Sequence, residues 1–144
     1  MLGIDPGTRK CGYAVSGAAE RPLELGIVLI DDLAEIVRET VKRFDVSAIA
    51  LGRGTHSGEV KNALAGIETP IVLVDERNTT YLARARYFAD FPPRGLKRLL
   101  PIGLLLPPRP IDDYAALIIA ERYRVSVDAA AARGAEPSAA KRQE

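Results

Sequence analysis

The chain has 144 residues, 47% of them hydrophobic and 27% charged, with a formal net charge of +1. This balance excludes an intrinsically disordered chain and fits one globular domain with its own core, since domains commonly run to about 100 to 150 residues. A lone Cys11 and a lone His56 exclude an internal disulfide and a structural zinc site, and no apolar run reaches the roughly 18 residues of a membrane helix. The opening lacks the order of a secretion signal, so the expectation is a cytoplasmic protein without a membrane partner.

In chain order, Leu2 to Asp5, Gly12 to Ser16 and Leu25 to Ile30 read as three short strands, rich in branched residues and bounded by Gly, Pro or charge. Asp31 or Asp32 is expected to cap the helix that follows, whose Leu33, Ile36, Val37, Val41 and Phe44 share one face. Ser47 to Leu51 is almost wholly apolar, as a central parallel strand covered on both faces would be. A weaker helix from Glu59 to about Gly66, a strand from Ile71 to Val74 and a helix from about Thr79 to Ala89 complete a β-β-β-α-β-α-β-α order. Hairpins followed by βαβ units predict an α/β fold with a mixed five-stranded sheet and helices on both faces.

Residues 91–111 form a flap interrupted by Pro92, Pro93, Pro101, Pro107, Pro108 and Pro110, with a strongly apolar run from Leu96 to Leu106. This run is expected either to cover the core or to meet another subunit of a homodimer. From Arg77 to Arg109 the net charge is +6, enough to face phosphates unless other parts of the surface balance it. An Ala-rich last helix opens at Asp112 and Asp113. The domain is expected to span 1–127, with a flexible tail at 128–144.

Three acidic stations stand out. Gly3-Ile4-Asp5-Pro6-Gly7-Thr8 sends a carboxylate out of an apolar strand into a Gly-rich turn; Asp75-Glu76-Arg77-Asn78-Thr79-Thr80 follows another strand; Asp112-Asp113 opens the last helix. In this spacing the chain resembles the YqgF (RuvX) family of RuvC-like Holliday-junction resolvases, of the RNase H-like superfamily. The resemblance rests on G-x-D-x-G-T, on D-E-R-x-T-T and on the aspartate before the Ala-rich helix, and covers residues 1 to about 124. The flap departs from it, because such proteins usually carry a short, very basic segment there.

The resemblance implies an RNase H-like sheet of order 3-2-1-4-5 and a metal-dependent nuclease. Its substrate would be branched DNA junctions or the precursor of small-subunit ribosomal RNA. Asp5, Glu76 and Asp112 would be catalytic and would hold Mg²⁺ or Mn²⁺, with Asp113 as the alternate to Asp112. Clustered carboxylates suit this chemistry because two divalent ions neutralise charge on the attacking and leaving oxygens, and oxygen-only ligands favour Mg²⁺ or Mn²⁺. The expected nucleic-acid contacts are Thr8, Arg9 and Lys10 on the first turn, Arg53 after the fourth strand, Arg77 and Thr80 near Glu76, and Lys97 and Arg98 in the flap. Each has a plainer reading: Asp5 as a turn residue, Asp75 and Arg77 as an ion pair, both helix-opening aspartates as complements of the helix dipole.

His56, in a Gly-rich loop, could meet nucleic acid or a metal-bound water, but solvation is the plainer expectation, and no Ser-His-Asp set suggests itself around it. Gly52-x-Gly54-x-x-x-Gly58 with Asp75 about 20 residues on approaches a dinucleotide fingerprint, yet too few βα units follow for a nucleotide-binding domain of that type. The opening is shared with actin-like and Hsp70-like ATPases, which pair two such domains. A non-catalytic nucleic-acid-binding factor, in transcription or ribosome assembly, is the rival of another class.

Overall fold

The computed structural model describes residues 1–18 and 21–134. Its strands are β1 (Leu2–Asp5), β2 (Lys10–Val15), β3 (Glu24–Leu29), β4 (Ile49–Gly52) and β5 (Ile71–Val74); its α-helices are α1 (Ile30–Phe44), α2 (Ser57–Ala63), α3 (Thr79–Asp90) and α4 (Asp112–Gly134). One sheet has the order β3-β2-β1-β4-β5. The β1–β2 and β2–β3 pairs are antiparallel, and β1–β4 and β4–β5 are parallel.

Strand residues alternate between two faces, and here the faces differ in bulk. Leu2, Ile4, Cys11, Val15, Ile49 and Leu51 pack with Leu33 and Val37 of α1, Val60 of α2 and Leu64 just after it. Each fully buried aliphatic side chain in this layer contributes about 1.5 to 3 kcal/mol. The alternate positions Gly3, Gly12, Ala14 and Ala50 give a face almost without side chains, and α4 lies directly on it. A Cβ built on Gly3 would stand 2.0 Å from the Ala116 carbonyl oxygen, and one on Gly12 would stand 1.9 Å from that of Asp112. Ala14 packs with Ala116 and Leu117, and α3 closes the layer by setting Ala83 and Tyr87 against Tyr114, Ala115 and Ile118.

Four local expectations are corrected. Neither Asp31 nor Asp32 caps α1: the helix follows β3 without a break, and the Ile30 N–H donates to the Arg9 carbonyl of the neighbouring turn at 2.9 Å. The two aspartates instead occupy the first turn, where they complement the helix dipole. α2 starts at Ser57, ahead of the expected Glu59, and stops at Ala63. α4 runs on past residue 127 to Gly134 because alanines sustain it; the rest of the expected tail, 135–144, lies outside the described residues.

The flap does not cover the core. Its prolines limit it to two short 3-10 turns, Gly95–Leu99 and Ile102–Leu104. Leu96, Leu99 and Leu106 are 85%, 81% and 80% exposed, and only Leu105 among its leucines is buried. The flap is tied to α3 by Arg84, which donates to the Gly103 carbonyl at 3.2 Å. Among the described residues no helix is long and apolar enough to cross a membrane.

Candidate active site

Asp5 is the last residue of the central strand, and the alternation that turns Leu2 and Ile4 to α1 turns Asp5 to the α4 side. Its antiparallel partner is Gly12, and Asp112 opens α4 in backbone contact with that glycine. Asp5 and Asp112 share a depression of about 360 Å³ with Pro6, Gly7, Thr8, Arg9 and Lys10. Glu76 arrives from the end of β5 and lies over Gly52, the last residue of β4, and Gly54 just beyond it. A Cβ on Gly52 would stand 2.1 Å from Glu76 Oε1, and one on Gly54 would stand 2.8 Å from Oε2. Three carboxylates far apart in sequence thus meet at one edge of the sheet, where the strands end and α/β ligand sites lie.

Their proximity is costly, and protonation relieves it. Burial, then the charges of Asp112 and Glu76, then a hydrogen bond with Glu76 push Asp5 up to about 7. Burial likewise raises Glu76, opposed by the hydrogen bond from Asp5. Glu76 Oε1 remains buried with no hydrogen-bond partner. An oxygen-only donor set, mutual repulsion and an orphaned carboxylate oxygen are what a hard divalent cation would satisfy. Among the described residues, however, no group of three His, Cys, Asp or Glu is spaced to grip one ion.

The Glu76 loop is fixed from both ends. Asp75 Oδ1 accepts from the Arg77 N–H at 2.9 Å, and its other oxygen pairs with the Arg77 guanidinium at 3.2 Å. The Arg77 N–H bond and charge hold Asp75 below its usual carboxylate range. Thr79 is buried, and its hydroxyl donates to the Glu76 carbonyl at 2.8 Å. From α4, Arg122 donates to the carbonyls of Asp75, at 2.7 Å, and Arg77. Gly52→Ala is expected to keep the fold but displace Glu76. The pull of Glu76 on Asp5 should then weaken and the Asp5 titration move down from about 7, while thermal unfolding changes little; an Asp5 midpoint equal in both proteins would refute this.

The two helix-opening aspartates diverge. Asp112 lines the depression, whereas Asp113 is buried at 5% exposure and receives both terminal nitrogens of Arg109, at 3.1 and 3.2 Å. Arg109 also lies over the rings of Tyr87 and Tyr114. Arg109→Ala would leave a buried, unpaired carboxylate and is expected to cost about 2 to 3 kcal/mol in urea unfolding; a loss below half of that would contradict this role.

The expected nucleic-acid contacts do not all reach the carboxylates. Thr8, Arg9 and Lys10 border the carboxylates, and Arg53 is exposed in the loop of Gly52 and Gly54. Thr80 is exposed on the first turn of α3. Lys97 and Arg98 are not brought to the carboxylates; they line hollows with Phe91 to Arg94 in the flap. Arg77, Arg86 and Arg109 are engaged by Asp75, Glu121 and Asp113, which reduces the charge the 77–109 stretch offers a ligand. His56, expected to be solvated, is partly exposed; its Nε2 is 3.2 Å from the Thr8 hydroxyl, and its Nδ1 lies 3.8 Å from a Glu59 carboxylate oxygen, beyond hydrogen-bond distance. Arg122 carried no signal in the sequence, because its partners are backbone carbonyls of a distant loop.

No family model matches the chain, and no curated protein matches it in sequence. Among solved structures it is similar to Thermus thermophilus RuvC, with 21% identity, a TM-score of 0.55, and coverage of 88% of this chain and 95% of RuvC. The chain has the RNase H-like fold. The sheet is the expected five-stranded mixed one in the order 3-2-1-4-5, with Asp5 at the end of its central strand.

Proposed function

We propose that this protein is a Mg²⁺- or Mn²⁺-dependent nuclease of the YqgF type, hydrolysing phosphodiester bonds of structured nucleic acid. The observation that carries the reading is the meeting of Asp5, Glu76 and Asp112 at the end of the central strand, where burial first and then the charges of Asp112 and Glu76 push Asp5 up to about 7. These three residues would hold the metal, which when bound supplies an activated water and neutralises charge on the phosphate. Asp5 must give up its proton to bind a cation, so metal binding should release protons and tighten as the pH rises through about 7. Arg9, Lys10 and Thr8 would hold the phosphate, and Thr79 and Arg122 would keep Glu76 aimed. The substrate is a branched DNA junction, as for RuvC-like resolvases, or the precursor of small-subunit ribosomal RNA. A junction resolvase would need a second copy, since it cuts two strands symmetrically.

The test is cleavage of labelled four-way DNA junctions, single-stranded DNA and structured RNA by wild type and Asp5→Asn, with Mg²⁺, Mn²⁺ or EDTA. Metal-dependent cutting lost in Asp5→Asn is expected. A second reading, a nucleic-acid-binding factor that does not cut, is favoured by the carboxylate spacing, which grips no single ion with three ligands among the described residues. Binding without cutting of any substrate would establish it.

A further inference from the structure

We propose that Thr8, His56 and Glu59 form a proton-linked contact for a backbone phosphate at the rim of the carboxylate site. The inference rests on the nuclease reading in its choice of ligand, a phosphodiester of nucleic acid, and adds a residue set and a regulation to it.

His56 sits in the loop between β4 and α2. Its Nε2 is 3.2 Å from Thr8 Oγ1, across 48 residues of sequence, and its Nδ1 is 3.8 Å from Glu59 Oε2. Thr8 belongs to the β1–β2 turn and lines the same depression as Asp5, Asp112, Arg9 and Lys10. A carboxylate, an imidazole and a hydroxyl thus stand in line, with the hydroxyl nearest the site.

The hydroxyl has one hydrogen to give. With a neutral imidazole, Glu59 favours the proton on Nδ1, and Nε2 accepts the Thr8 hydrogen. The hydroxyl then presents only lone pairs to the depression, which repel phosphate oxygens. When the ring gains a proton, Nε2–H donates to Thr8 Oγ1, and the Thr8 hydrogen is released to donate to a phosphate oxygen. The same proton adds a positive charge beside Arg9 and Lys10. One proton, taken from solvent as phosphate binds and returned as it leaves, strengthens the hold that Arg9 and Lys10 already give this rim. Glu59 is the charged group in contact with the ring; Arg9 and Lys10 flank Thr8, Arg53 precedes the ring in its loop, and Glu76 lies over Gly54 two residues before it.

His56 is the only histidine, so its proton resonances report the ring alone. The experiment follows them by NMR from pH 5 to 8.5, in EDTA so that no cleavage occurs, with wild type and Thr8→Val. Each is titrated free, with a DNA hairpin, with an RNA hairpin, and with inorganic phosphate, while binding is followed by anisotropy. A fivefold gain in affinity on ring protonation requires, by reciprocity, a rise of about 0.7 in the titration midpoint when the hairpin is bound. Thr8→Val keeps the imidazole and its charge but removes the hydroxyl, and should lose more than half of that rise. Asp5 titrates in the same window in both proteins, so their difference isolates the relay.

A midpoint that does not move while a hairpin binds, or that moves equally in Thr8→Val, overturns the inference and leaves the nuclease reading intact. A shift with inorganic phosphate and none with either hairpin overturns the assignment to nucleic acid. Failure of both hairpins to bind at any pH removes the nucleic-acid reading itself.

Discussion

Asp5→Asn is expected to cripple the proposed metal-dependent cleavage and, in EDTA at pH 8, to make the protein more stable than wild type. The two effects share one cause. Asp5 titrates at about 7 in the folded protein against 3.8 as an unperturbed side chain, so folding forces a proton onto it. A carboxyl with a raised folded value contributes its full share of stability below about pH 4 and loses it as the pH rises through 7. At pH 8 the wild type therefore carries the cost of a partly buried carboxylate beside Asp112 and Glu76, on the order of 2 to 4 kcal/mol, which asparagine does not. The stability gain of Asp5→Asn should grow from pH 5 to pH 8 in thermal unfolding. A saturating divalent cation should reverse the sign, because it stabilises only the protein that binds it. A variant that loses stability relative to wild type as the pH rises would show that Asp5 is not compressed against the other carboxylates. Cleavage should fall on the order of a thousandfold, the loss of a principal source of transition-state charge stabilisation.

Gly12→Ala is the second large effect, and it acts on the fold. The new methyl carbon would stand 1.9 Å from the Asp112 carbonyl oxygen and 2.6 Å from the Asp113 nitrogen. Both are backbone atoms, so no rotamer change relieves the contact and the start of α4 must lift from the sheet. Gly3→Ala would do the same one turn further on, at 2.0 Å from the Ala116 oxygen. Because α4 supplies Asp112 and, through Arg122, braces the Glu76 loop, lifting it also disassembles the site. A loss of about 3 kcal/mol or more, or failure to fold, is expected in urea unfolding. Gly58→Ala is the control: nothing lies within 4 Å of its Cβ, and inside α2 alanine should stabilise by up to about 1 kcal/mol. Equal, small effects at Gly12 and Gly58 would mean that α4 is not seated on a bare sheet face.

Much of this protein was determined by local sequence. Short runs of branched residues bounded by glycine or charge placed all five strands to within a few residues, and the hairpin and βαβ order implied the mixed sheet. Asp5, Glu76 and Asp112 were picked out by the family resemblance, since position at a strand end or a helix start fits Asp75 and Asp113 equally well. The same positions Gly3, Gly12 and Ala14 also fitted plain strands, so nothing local revealed that they jointly seat a helix; alternation matters only once the strands are neighbours. The leucines of the flap suggested burial because hydropathy counts side chains and not their surroundings, whereas the prolines left them outside. Only the tertiary structure decided between Asp112 and its neighbour in placement, since one helical position turns Asp113 to Arg109 and leaves Asp112 beside Asp5. Only there does His56 meet Thr8. Sequence determines which groups exist and which strand ends carry them; distance, burial and charge repulsion between them belong to the packed sheet.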